Sequence, residues 1–230
     1  MLAYLGNPRI KKDYVGRVQA HRKADEIHKG FYWEGGKGCA VGCTIHSSRH
    51  SAYETELGIP EMLARLEDRI FEGASNAWAK TWPERFLKAI KPGADLSKVG
   101  WRFQHWLLLD PKEGVIWFAG PQDKELFKTI GSLIWDLALG KPIDISAAES
   151  AARSAARSAE SAAWSAESAA WSAAWSAAWS AARSAAWSAE SAAWSAWSAA
   201  WSAESAESAY ERQGEKLLGL LAKAKVKKER

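Results

Sequence analysis

The residues best suited to chemistry lie in one glycine-rich stretch between residues 35 and 50. They are two thiols and two imidazoles, Cys39, Cys43, His46 and His50. On a helix these side chains share one face but extend about 16 Å along it, so one zinc ion with bonds of about 2.0–2.3 Å cannot collect all four. Two or three of them are compatible with a metal only if the segment is a loop. We therefore expect buried, reduced thiols with no metal and no cofactor.

The same stretch also raises the hypothesis of a small cysteine-dependent enzyme. Cysteine catalysis requires a thiolate with a histidine within hydrogen-bond reach. Cys39 follows Lys37 and Gly38, whose backbone N–H groups are suited to an oxyanion, and His46 is a nearby base. No recognised Cys–His protease signature accompanies the pair. A non-enzymatic protein is therefore the preferred interpretation, and the enzyme is the alternative.

The glycines of this stretch are candidates for ligand binding. Gly36, Lys37, Gly38 and Gly42 precede or begin a predicted helix, where exposed backbone N–H groups bind small anions. The run lacks the spacing of a P-loop, and glycines that allow a tight turn are the simpler interpretation. We expect Gly38 and Gly42 to lie where a Cβ would clash with neighbouring backbone or force an unfavourable φ.

Helices are predicted to position these residues. Apolar periodicity and breaker residues predict helices over 13–28, over 60–71, from Thr81 or Trp82 to Ile90, from a cap at Asp95, and over 123–139. The apolar run 115–119, between two glycines, suggests a short strand. Together these segments predict a mainly α fold with a compact helical domain over residues 1–143.

A Ser-Ala-Ala-X repeat follows over residues 144–213. Its variable residues recur every 3.6 positions on average, which is about the α-helical period. Eight of them form a tryptophan stripe, namely Trp164, Trp171, Trp175, Trp179, Trp187, Trp194, Trp197 and Trp201. We expect a long helix, either straight or folded back near its middle, that packs in a helical bundle or coiled assembly. The stripe is the predicted interface for a homo-oligomer or for docking on the chain's own domain.

Net charge, sequence motifs and cysteine content limit the classes of partner and the compartment expected for this chain. The net charge of +4 is small, and residues 214–230 are expected to be a basic C-terminal helix end or tail. No nucleic-acid-binding motif is present, so we expect no nucleic acid. Charged residues interrupt every apolar run, so we expect no membrane span. Two cysteines without a signal-peptide pattern favour the host-cell cytosol. A protein or a small anionic ligand remains a candidate partner.

Several motifs resemble a family of uncharacterised proteins encoded in tailed-phage and bacterial genomes. The resemblance covers roughly residues 13–110, and some members of that family carry a similar Ser-Ala-Ala-Trp tail. Its motifs are GCAVGCT (38–44), ELGIP (56–60), LARLED (63–68), IFEG (70–73), WPERFL (82–87) and GADL (93–96). The resemblance implies a phage or prophage origin and brings no activity, cofactor or catalytic residue.

Overall fold

The computed structural model describes residues 1–118, 120–141 and 206–227. Within these ranges the chain is mainly helical, which confirms the predicted fold class. The predicted repeat helix falls almost wholly outside them, as do all eight tryptophans of its stripe. No helix in the described ranges is long and apolar enough to cross a membrane.

The described residues form nine α-helices. The helices are α1 (Pro8–Lys23), α2 (Ala40–Ile45), α3 (Ala52–Leu57), α4 (Glu61–Gly73), α5 (Asn76–Ala79), α6 (Trp82–Ala89), α7 (Val99–Leu109), α8 (Pro121–Leu139) and α9 (Ala206–Ala222). Two 3-10 turns cover Ala3–Gly6 and Val115–Phe118. A short hairpin pairs β1 (Trp33–Glu34) antiparallel with β2 (Lys37–Gly38).

Two local predictions need correction. The predicted helix 13–28 is wrong at both ends, because the Asn7 side chain caps α1 by accepting from the backbone N–H of Arg9, and Asp25 adopts a left-handed φ of 54° beyond the helix. The run predicted as a strand forms a 3-10 turn over Val115–Phe118. There the backbone N–H of Trp117 donates to the carbonyl of Gly114 at 3.1 Å, so the turn satisfies its own backbone and needs no neighbouring strand.

The chain forms two compact units. The first combines Met1–Gly100 with Glu204–Arg230, and the second is Trp101–Ala203. Residues 214–230 are predicted to be a basic C-terminal helix end or tail; α9 runs through Gly214 to Ala222 and is part of the first unit. The second unit is therefore inserted in the chain between two portions of the first, and it contains most of the repeat together with α8. Local composition does not predict this, because it depends on where an apolar face is buried.

Helix α4 forms the centre of the first unit. Leu63, Leu66 and Ile70 recur at helical spacing and are fully buried. The helix contacts α2, α3, α5, α6 and α9. Burial of each such side chain stabilises the fold by about 1.5–3 kcal/mol, so α4 is the main organiser of this core.

Helix α9 closes the first unit against α4 and α6. Its inward face repeats every four residues and is almost fully buried, and it consists of Ala209, Gln213, Leu217 and Leu221. Gly214 lies against the rings of Trp78 and Trp82, and Gly73 of α4 lies against the ring of Tyr210. Small residues at these two points let the helices approach closely.

The segment after α9 is held by backbone pairing. The N–H of Asp95 donates to the carbonyl of Lys225 at 2.9 Å, and the N–H of Lys227 donates to the carbonyl of Gly93 at 3.1 Å. Lys227 also forms an ion pair with the Asp95 carboxylate at 2.9 Å. The C-terminal segment is thereby tied to the loop that precedes α7.

Replacing Gly214 by Ala is expected to destabilise the protein. The added methyl group would overlap Trp78, whose ring stacks on buried Trp82 at 4.9 Å and is not free to turn away. Gly219, on the same helix, has open space around its Cβ position. We expect G214A to lower the free energy of unfolding by about 1–3 kcal/mol, while G219A keeps or raises it by up to about 1 kcal/mol. Urea unfolding followed by circular dichroism measures both, and equal stability would contradict the close approach of α9.

A buried carboxyl group in α4 makes stability depend on pH. Glu67 is fully buried, and its Oε2 accepts a hydrogen bond from the Tyr53 hydroxyl at 2.6 Å. Burial raises the pKa of Glu67 well above its ordinary value of 4.5. The protonated form is therefore favoured in the folded protein, and the ionised form is favoured in the unfolded chain at neutral pH.

Stability from this group should be fully present below pH 4.5 and should be lost as the pH rises toward the folded pKa. The E67Q variant keeps a neutral group of similar shape and does not titrate. We expect the wild type to lose stability relative to E67Q as the pH increases from about 4.5 to about 7. Unfolding curves of both proteins across that range are the measurement. A constant difference would show that Glu67 does not have a raised pKa.

Candidate functional site

The glycine-rich stretch folds as a hairpin followed by helix α2. Gly35 and Gly36 form its two-residue turn with φ values of 56° and 84°, which only glycine adopts readily. The next residues run back along β2, and Cys39 then precedes the first turn of α2. Gly36 and Lys37 are exposed at the turn, whereas Gly38 and Gly42 are buried.

The carbonyl group of Tyr32 lies directly over Gly38 and Gly42. A Cβ atom on either glycine would overlap its oxygen, which confirms the predicted close approach of neighbouring backbone. The N–H of Cys39 donates to the carbonyls of Phe31 and Tyr32 at 3.0 and 3.1 Å. The chain's own backbone thus fills the space beside the two buried glycines. The four predicted ligand-binding residues do not surround one open space, since Gly36 and Lys37 lie apart at the turn.

Cys43 is a packed thiol. It is a free cysteine, fully buried, and its Sγ donates to the carbonyls of Gly38 at 3.3 Å and Glu26 at 3.5 Å. Burial raises its pKa to about 12. Cys43 is therefore protonated at neutral pH and suited to packing.

Cys39 faces helix α4. It is a free, buried cysteine, and its Sγ accepts a long hydrogen bond of 3.5 Å from the N–H of Gly42. Burial, followed by the negative charge of Asp68, raises its pKa well above the ordinary value. The prediction that both thiols are buried is thus confirmed, but the environment opposes the thiolate that a nucleophile requires.

His46 belongs to a different cluster. It ends α2 with a left-handed φ of 53°, and its ring stacks on Trp33 with centroids 4.4 Å apart. Its Nε2 lies 2.8 Å from Nε2 of His21, whose Nδ1 lies 2.7 Å from the Glu26 carboxylate. One imidazole donates and the other accepts in this pair. The described residues include no hydrogen bond that joins His46 to Cys39, the two members of the predicted catalytic pair.

His50 and Cys39 instead approach the same carboxylate. The Nε2 atom of His50 lies 3.4 Å from Oδ2 of Asp68, and the His50 side chain is only 9% exposed. Glu72 lies one helical turn beyond Asp68 and accepts from the N–H of Gly30 at 3.1 Å. The Sγ of Cys39 and one oxygen each of Asp68 and Glu72 all lie within 4.8 Å of one another. These residues provide the donor types that bind metal ions.

The sequence analysis did not identify Asp68 and Glu72 as candidate site residues. Their spacing of four residues places both carboxylates on one face of the predicted helix 60–71 or at its end. That spacing was the available signal. It did not identify Cys39 as the partner, because the two segments are separated by about thirty residues and meet only through the packing of α2 on α4.

A cleft of about 410 Å³ lies on another side of the 27–31 segment. Lys29 and Lys80 line it together with the apolar rings of Phe31 and Phe71. Both amines already have partners, since Lys29 donates to the carbonyl of Ala74 and Lys80 forms an ion pair with Asp25 at 2.5 Å. Both lysine side chains are therefore already engaged within the protein.

Replacing Gly42 by Ala tests the contact that holds Cys39 in place. In an ordinary helix this change is favourable by up to about 1 kcal/mol, as expected for G16A in α1, where the Cβ position is open. At Gly42 the new methyl group would displace the Tyr32 carbonyl. We expect G42A to lower the free energy of unfolding by more than about 1 kcal/mol. Chemical denaturation of both variants is the measurement, and a stabilised G42A would refute the contact.

Comparison of the chain with known proteins found no relative. No family model matches the chain, and neither the curated proteins nor the solved structures include a significant match.

Proposed function

We propose that this chain is a non-enzymatic binding and assembly protein of phage or prophage origin. Its tryptophan-bearing repeat associates with copies of the same chain, and the helical domain is the body to which the repeat is attached. The observation that carries the proposal is the inserted position of the repeat. The chain leaves the first unit after Gly100 and returns to it at Glu204.

The buried face of α9 supports this role. Leu217 and Leu221 are fully buried against the first unit, so the C-terminal end of the repeat is fixed to a folded body a few residues beyond its last tryptophan. When an association surface is attached in this way, its association also brings the attached domains together in a defined arrangement. A surface on a flexible tail would leave the domains free to move relative to one another.

The size of the stripe supports association. Eight tryptophan side chains at about 150–250 Å² each make an apolar surface of about 1,200–2,000 Å². Soluble monomers seldom expose patches above a few hundred Å², and standard protein–protein interfaces have this area. Docking of the stripe on the chain's own domain would cover the same surface without a second copy.

The alternative, a cysteine-dependent enzyme using Cys39 and His46, has less support. The pKa of Cys39 is raised by burial and by Asp68, and His46 interacts with His21 and Trp33. We also propose a cytosolic location, because two free, buried thiols are typical of a reducing compartment.

Changing Trp171, Trp175 and Trp179 together to Ala is expected to disrupt assembly. The change removes about 450–750 Å² of apolar surface and preserves helix propensity. Light scattering at several concentrations should give the wild type a mass above its 25.3 kDa monomer and give the variant a lower mass at equal concentration. The matched control changes Ser172, Ser176 and Ser180 to Ala, which leaves the stripe intact and should keep the wild-type mass.

The outcomes separate the two forms of the proposal. A monomeric wild type, whose melting temperature falls in the tryptophan variant but not in the serine variant, would indicate docking within the chain. A tryptophan variant that keeps the wild-type mass, melting temperature and tryptophan emission would refute the assembly role.

A further inference from the structure

Metal-ligating side chains converge where α2 begins beside α4. Cys39 lies immediately before α2, while Asp68 and Glu72 lie one turn apart on α4. One donor atom from each residue, a thiol sulfur and two carboxylate oxygens, lies within 4.8 Å of the other two. The donors thus come from two elements whose packing is fixed by the core.

A buried oxygen of Asp68 points to a missing partner at this place. Its Oδ1 atom is buried and accepts no hydrogen bond of ordinary geometry from the described residues, and a neighbour able to donate to this carboxylate is the Cys39 thiol. An unsatisfied buried carboxylate oxygen is unfavourable by at least about 1–3 kcal/mol, and such atoms are rare in folded proteins. A bound cation would satisfy this oxygen directly.

The imidazole of His50 lies beside the three-donor group without being part of it. Its side chain is 9% exposed, and its Nε2 atom lies 3.4 Å from Oδ2 of Asp68. That separation exceeds the usual range of about 2.7–3.2 Å for an N–H···O hydrogen bond. The ring is close to the cluster without a short hydrogen bond to hold it there.

We propose that Cys39, Asp68 and Glu72, with His50 as the fourth donor, form a site for one divalent transition-metal ion, with Zn²⁺ as the best match. Thiolate, carboxylate and imidazole are all ligands of zinc, whereas magnesium and calcium prefer oxygen ligands alone. On binding, Cys39 releases its thiol proton to solvent and coordinates as the thiolate.

To bind one zinc ion, the donor atoms must move slightly closer to one another. Donor atoms of a tetrahedral zinc site lie roughly 3.3–3.8 Å apart for bonds of about 2.0–2.3 Å. Rotation of the Glu72 side chain provides that movement, because Glu72 is exposed and its carboxylate accepts hydrogen bonds from a single backbone N–H, that of Gly30, at 3.1 and 3.2 Å.

This proposal departs from the expectation that Cys39 has no metal, and it uses a different ligand set from the four residues considered there. The spacing argument concerned four ligands within residues 39–50, and Cys43 and His46 do lie elsewhere in the structure. Two of the ligands proposed here come from α4, which that argument did not include. The site includes no residue of the repeat, so the metal proposal can be tested independently of the proposed assembly role.

Cobalt binding to the full-length, untagged chain tests the proposal. After treatment with a chelator and its removal, the protein is titrated with Co²⁺, and Zn²⁺ is then added as competitor. We expect about one Co²⁺ per chain, a near-ultraviolet thiolate-to-cobalt charge-transfer band, and displacement by Zn²⁺. Isothermal titration calorimetry gives the Zn²⁺ affinity of each variant.

Matched variants assign the ligands. C39S should lose the charge-transfer band, while C43S, which removes the neighbouring buried thiol, should keep it. E72Q should weaken Zn²⁺ binding at least about tenfold, the lower limit for loss of even a supporting group in a metal site. E61Q, at the other end of α4, should bind as the wild type does. Circular dichroism establishes that each variant is folded.

The proposal is overturned if the wild type shows no charge-transfer band, or if the band survives C39S and disappears in C43S. It is also overturned if E72Q, whose exposed position makes it the variant least prone to misfold, binds Zn²⁺ as tightly as E61Q. These readouts concern metal alone, so they are independent of the mass measurements that test assembly.

Discussion

The burial of α4 is the constraint on which the first unit depends. Leu63, Leu66 and Ile70 are fully enclosed, and α2, α3, α5, α6 and α9 contact α4. Because this apolar face fixes the rotation of α4 about its axis, it also fixes where the polar residues of the same helix lie. Glu67 is enclosed with a hydrogen bond from Tyr53, while Asp68 and Glu72 lie beside Cys39. One helix therefore builds the core and positions the candidate site.

A second constraint is the contact of the Tyr32 carbonyl with Gly38 and Gly42. Backbone approaches this closely only where no Cβ intervenes. The contact holds the hairpin against α2, and the two hydrogen bonds accepted from the N–H of Cys39 complete it. The glycines thus serve to orient Cys39 toward α4, and an anionic ligand would compete with the chain's own carbonyl for the same space. This explains why a glycine-rich run can resemble a ligand cradle in sequence and yet be filled in the fold.

The proposed assembly role and the proposed metal site involve different parts of the molecule. The site lies wholly within Met1–Gly100, whereas the tryptophan stripe belongs to the inserted segment. Helix α9 is the connection between them in the chain, because its buried face completes the core that α4 organises. The chemistry of the chain, if metal-dependent, would not require the chain to assemble.

The sequence by itself determined features that depend on neighbours in the chain. Apolar periodicity predicted the mainly α fold, Pro60 marked the start of α4 within one residue, and the glycine spacing predicted the close approach at Gly38 and Gly42. Such signals suffice because helix periodicity, capping and turn conformation are set by residues a few positions apart.

Only the tertiary structure decided which distant residues meet. It placed α9 in the core although Gly214 had suggested a boundary, because the glycine fits against Trp78 and Trp82. It gave Cys39 the partners Asp68 and Glu72 and gave His46 the partner His21. These pairings follow from burial of apolar faces that lie far apart in the chain, and periodicity within one segment contains no information about which face it will contact.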